Sequence, residues 1–165
     1  MQNKVLNKEF IKNIKNDDNY LFDFFKNQNE RSILYLLENL GRFENGYSKY
    51  PLLYLLNHKN ENIRALSLKN LAKLSDLELL NFFVEFAKND SSTIVRREAV
   101  SAIGRLRNQI IIPHLVRLLS DEDSKVIMQA IRGLLKFSNN DIVKDKLMGL
   151  LNHPNEVIKE IIQKE

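Results

Sequence analysis

One pattern recurs along this chain at a nearly constant interval, and it decides what the chain can fold into. The stretches NENIRALSLKNLAKL (60–74), SSTIVRREAVSAIGRL (91–106) and DSKVIMQAIRGLLKF (123–137) share it. Each opens on a polar capping residue, followed by a β-branched residue at Ile63, Val95 or Val126. A small residue comes four positions later at Ser67, Ala99 or Ala130, then Leu71, Ile103 or Leu134, then Leu74, Leu106 or Phe137. The spacing i, i+4, i+8, i+11 marks one face of an α-helix. Two further copies are NERSILYLLENLGRF (29–43), with Ser32, Leu36, Leu40 and Phe43, and PNEVIKEIIQKE (154–165), with Val157 and Ile161. The anchors 32, 63, 95, 126 and 157 are separated by 31, 32, 31 and 31 residues.

A shorter apolar segment precedes each copy: YLFDFFKN (20–27), YPLLYLLN (50–57), LELLNFFVEFAK (77–88), IIPHLVRLLS (111–120) and IVKDKLMGLLN (142–152). Pro51 and Pro113 stand near the starts of two of them, where proline costs no helical hydrogen bond. Asp90, Ser92, Asp121 and Asp123 supply caps or turns between paired helices, and ENGYS (44–48) links one repeat to the next. One helix pair cannot bury its apolar face, whereas stacked pairs share a continuous core. The expected fold is all-α, a right-handed α-α superhelix or solenoid of about five helix-pair repeats. The expected repeats span about 19–46, 47–76, 77–109, 110–140 and 141–165, in a single domain, with an N-terminal capping helix over 2–15 carrying Val5, Leu6, Phe10, Ile11 and Ile14. Ala99, Ala130, Ile103, Leu134 and Leu106 are expected in the core.

The composition agrees: apolar residues make up 44%, and Gly (5) and Pro (3) are too few for a turn-rich β-fold. With no Cys there is no disulfide and no thiolate ligand or nucleophile. The opening MQNKVLNKEFIKNIKN carries four Lys and no apolar h-region, and no apolar run approaches the ~20 residues of a membrane span, so the expected location is the cytoplasm.

At this point the residues resemble a known family. A Pro-started helix (Pro113, Leu118, Leu119) and a second helix with Asp90, Val95, Arg96, Ala99, Ile103, Gly104 and Leu106 are similar to the HEAT repeat, and the short period resembles compact bacterial HEAT-like repeats. The resemblance implies a partial Asp–Arg ladder between repeats, open here to Asp90, Asp121, Arg64 and Arg96. It also implies a protein-binding scaffold, although some related solenoids bind DNA and a few are lyases or glycosylases. Fold alone does not choose among these.

The second helices are expected to line the concave, partner-facing side. On the third, the side opposite the core is expected to hold Arg97, Ser101 and Gly104, flanked by Arg105. Ten residues past each anchor stand Arg42, Lys73, Arg105 and Lys136, a basic column joined by Lys69, Arg97 and Arg132. Leu34, Tyr35, Leu66 and Met128 form a possible apolar strip beside it. Residues 91–137 carry eight basic and four acidic side chains, so the charge excess lies there. The candidate partner-binding residues are therefore Lys69, Lys73, Arg97, Arg105, Arg132, Lys136, Leu34, Tyr35 and Met128. The partner is expected to be a protein, with an acidic segment as one option and the phosphates of a nucleic acid as the alternative. A third possibility is that the column serves only the helix ends, where cations complement the dipole. His58, His114 and His153 have no metal-ligand spacing, and Asp121-Glu122-Asp123 lacks the glycine of a calcium loop. No phosphate loop or serine-nucleophile motif is present, so neither enzymatic activity nor a cofactor is expected.

Overall fold

The structure, a computed structural model, describes residues 6–43 and 47–163; among these it has eleven α-helices and no strand. By compactness the chain divides into two units, Met1–Leu74 and Ser75–Glu165.

The first unit holds α1 (Lys8–Ile14), α2 (Asp18–Asn27), α3 (Glu30–Asn39), α4 (Tyr50–Tyr54) and α5 (Glu61–Leu71), with 3-10 turns at Leu55–Asn57 and Ala72–Leu74. Side-chain caps fix where four of these helices begin, and at α5 Asn60 accepts from the Asn62 N–H at 2.9 Å. Asn7, Asp17 and Asn29 each accept from the backbone N–H three residues on, at 2.8, 3.0 and 3.0 Å. Among the described residues the expected N-terminal helix runs Lys8–Ile14, begun by its Asn7 cap; residues 2–5 of that expectation, Val5 included, and residues 44–46 of the ENGYS link lie outside the described residues. Ile11 and Ile14 of α1 are buried, and α1 packs on α3, which packs on α5. The core is Leu21, Phe25, Leu36, Leu37, Ile63, Leu68 and Leu71. The hydroxyl of Ser67, in the small-residue slot, is buried there and donates to the Ile63 carbonyl at 2.8 Å.

The second unit holds α6 (Leu80–Asn89), α7 (Thr93–Arg105), α8 (Ile112–Arg117), α9 (Ser124–Leu134), α10 (Asp141–Gly149) and α11 (Glu156–Gln163). Short 3-10 turns at Leu77–Leu79, Gln109–Ile111, Leu118–Ser120, Leu135–Phe137 and Leu150–Asn152 lead into or out of them. Helices α6 and α7 pack together, α7 packs on α9, and α9 packs on α8 and α11. Ala99, Ile103, Ala130 and Leu134 are buried, as their spacing predicts, along with Phe83, Val95, Leu115, Val126 and Val143. Each large apolar side chain here contributes roughly 1.5–3 kcal/mol.

Three sequence expectations need correction. Leu106 is half-buried, because it is the C-cap of α7, where the chain leaves the stack. Gly104 does not face outward but is buried against α9: a Cβ on it would lie 3.5 Å from Gly133 Cα. A second helix has its own pair-mate and a neighbouring second helix to cover, so its buried arc is wider than one stripe. The fifth anchor is Ile158, fully buried, whereas Val157 is 51% exposed. The turn sets this register, since Asn155, three residues before Ile158, takes the capping position that Asn29, Asn60, Ser92 and Asp123 take before their anchors.

Those turns share one more device. Asp90 and Asp121 each accept from the N–H two residues on, at 2.8 and 2.9 Å. In the equivalent positions the Nδ1 atoms of His58 and His153 accept from Asn60 and Asn155 at 3.0 and 3.1 Å. Histidine thus stands in for aspartate as a turn acceptor.

Candidate functional site

In the second unit, α7 exposes Arg97 and Arg105, with half-buried Ser101 between them. Four-residue steps put all three on one side of the helix. Helix α9 and its following turn place half-buried Met128 and exposed Arg132 and Lys136 at the same steps. In the first unit, α3 carries half-buried Leu34 and exposed Tyr35, and α5 with its turn carries exposed Lys69 and Lys73.

The basic column has an internal role as well. The Lys73 ammonium donates to the Gly41 carbonyl at 2.8 Å and to Asn70 Oδ1 at 2.6 Å, and sits 5.3 Å from the centre of the Phe43 ring. The Lys136 ammonium donates to the Gly104 carbonyl at 2.9 Å. Each lysine thus ties the end of the preceding second helix, satisfying a carbonyl that has no intrahelical donor. Lys15 does the same for the Arg42 carbonyl at 2.9 Å, and buried Asn70 donates to the Leu37 carbonyl at 2.9 Å. These bonds bridge about thirty residues of sequence, so no local pattern announces Lys15 or Asn70. Glu38, Gly41, Arg42, Phe43 and Lys73 surround an open hollow of about 550 Å³.

The arginines are placed differently. Arg96, the family-type arginine, is buried and consumes the nearby acid: it holds Asp121 through two bonds of 3.1 and 3.2 Å and Glu122 at 3.0 Å, and it donates to the Asp90 carbonyl at 3.2 Å. Arg64 reaches the His58 and Lys59 carbonyls at 2.9 and 3.1 Å. Arg97, Arg105, Arg107 and Arg132 have no carboxylate partner among the described residues. Glu98 offers no relief, since its Oε1 is buried without a hydrogen-bond partner. Helical spacing does not single out Arg107. That residue follows α7 in the left-handed region at φ 49°, a position that neither glycine nor asparagine occupies here, although Asn108 comes next. Burial, together with the charges of Arg107 and Arg105, holds the Lys136 ammonium below the usual lysine range. Among the described residues no group of three or more His, Asp or Glu side chains could hold a metal ion, and no helix is long and apolar enough to cross a membrane.

Comparison with known proteins is consistent with this architecture. No curated protein matches the sequence. Among solved structures the chain is similar to one from the complex of CpcE and CpcF of phycocyanin lyase from Nostoc sp. PCC7120, at 20% identity and TM-score 0.72, covering 88% of this chain and 95% of that one. It is also similar to a designed armadillo repeat protein in complex with the peptide (KR)4, at 22% identity and TM-score 0.62, covering 94% and 88%. An engineered protein matches at 17% identity and TM-score 0.59, covering 96% and 82%. At these identities the likeness concerns the fold, that of helical-repeat solenoids. The family model for HEAT repeats matches residues 80–164, just over half of the chain, along the paired helices whose anchors, caps and buried Arg96 have been described. The chain belongs to the HEAT-repeat family.

Proposed function

We propose that this chain is a non-catalytic scaffold that binds a protein partner through the exposed side of its second helices. In the second unit the surface is Arg97, Arg105, Arg132 and Lys136 beside Met128. In the first it is Lys69 and Lys73 with Leu34 and Tyr35. The observation that carries this reading is the set of exposed arginines on α7 and α9 with no carboxylate partner among the described residues. Charges left uncompensated on a packed face favour a partner of opposite sign and speed its encounter. The HEAT-repeat fold commonly serves as an interaction scaffold, and two of the similar structures are complexes, one between two proteins and one with a peptide. The expected setting is the cytoplasm.

The test is the combined variant Arg97→Glu, Arg105→Glu, Arg132→Glu, first shown to be folded by circular dichroism. Capture of the native partner by the parent chain and loss of that capture by the variant is the expected result. Equal capture by both assigns binding to another surface. Retention of RNA or DNA in place of protein, falling steeply with salt, assigns the face to phosphate binding.

A further inference from the structure

We propose that Arg105, Arg107 and Lys136 together form a carboxylate-binding cluster that takes an acidic segment of a protein partner at the C-terminal end of α7. This rests on the second-helix face being the binding face, and it adds a residue and a ligand chemistry to that face.

The first support is the backbone at Arg107. Its φ of 49° is left-handed, as is that of Ser75 at φ 51° in the equivalent turn of the preceding repeat, whereas Ser138 in the following repeat is right-handed at φ -57°. Glycine and asparagine fill such a position at little cost, whereas a long side chain is conformationally strained there. The second support is charge. The ends of two helices carry roughly half a negative charge each, so three cations over-neutralise them by about two charges. No carboxylate among the described residues pairs with Arg105, Arg107 or Lys136. The third is positioning: the Gly104 carbonyl holds the Lys136 ammonium at 2.9 Å, at the last turn of α7, which carries Arg105 and is followed by Arg107. Arg107 therefore works against stability twice, through its backbone and through repulsion, and is accounted for by a ligand. Carboxylates suit the site, since guanidinium groups bind them in forked pairs. A peptide suits it better than a nucleic-acid track, because the cluster is local and the whole chain carries only +4.

The experiment uses the full chain, a fluorescein-labelled decaglutamate peptide read by anisotropy, and a thermal melt. The key variant is Arg107→Asn, which keeps a left-handed turn without the charge. We expect its melting temperature to rise by about 2 °C and its affinity for the peptide to fall roughly three- to fivefold, the size of one partly exposed charge pair. Arg107→Lys should stay within about twofold of the parent, as one exposed cation replaces another. Peptide affinity unchanged in Arg107→Asn overturns the cluster, as does a lower melting temperature, which would make Arg107 a stabilising residue. An oligonucleotide of equal charge binding more tightly than the peptide overturns the choice of partner. The broader face is judged apart from this: a triple-glutamate variant that loses the native partner, beside an Arg107→Asn that keeps the peptide, removes the cluster alone.

Discussion

Gly104 and Gly133 meet backbone to backbone: a Cβ on Gly133 would lie 3.7 Å from Gly104 Cα, and one on Gly104 would lie 3.5 Å from Gly133 Cα. The two positions nevertheless differ in tolerance. At Gly104 an added methyl finds ordinary contact distances, and alanine improves helix propensity by up to about 1 kcal/mol. At Gly133 it would fall 2.8 Å from Leu115 Cδ1, a fully buried side chain with little room to move. Gly104→Ala should therefore be neutral or slightly stabilising. Gly133→Ala should lose about 1–2 kcal/mol after overpacking is set against propensity. Urea unfolding of both variants checks the ordering, and equal midpoints would contradict it.

Arg96 and Asp121 are a buried pair, their side chains 7% and 9% exposed. Removing only the cation leaves a carboxylate in a place water hardly reaches. Arg96→Ala should cost about 3 kcal/mol, and Arg96→Met combined with Asp121→Asn clearly less. Asparagine keeps the acceptor that the Asp123 N–H needs. If the double variant is as unstable as the single one, packing rather than charge pairing dominates the site.

His114 gives the second unit a pH dependence of defined sign. Burial lowers its pKa from 6.5, and the charges of Arg117 and Lys88 lower it further. The unfolded chain therefore binds this proton first as pH falls. Stability from the neutral ring is complete above 6.5 and declines from there down to the lower folded value. Melting temperatures should fall more steeply on going below pH 6.5 in the parent than in His114→Gln. Parallel curves would show that His114 does not contribute.

The repeat, its period and most of its core were legible because a helix packed on a neighbour must return an apolar residue to the same side every three or four positions. What escaped depends on contacts that the period does not encode. Val157 and Ile161 satisfy the helical spacing as well as Ile158 does; only the turn formed by His153 and Asn155 selects the latter. Helical position alone turns Gly104 outward, opposite one neighbour, whereas α9 covers that side. On the candidate face, the exposure of Arg97, Arg105 and Arg132 follows from helical position. The tying of Lys136 to Gly104 and the company of Arg107 depend on how two helix ends meet.

The lysine ties have a practical consequence. An ammonium bonded to a carbonyl at 2.8–2.9 Å is an ion–dipole contact that acts only at short range, so dissolved ions screen it weakly. Attraction between exposed arginines and a mobile acidic chain reaches across solvent and is screened at moderate ionic strength. Salt strong enough to release an acidic partner from the proposed surface therefore leaves the helical stack standing. Immobilised on a resin, the chain should release its cargo in a single salt step and take up a fresh load once the salt is washed away.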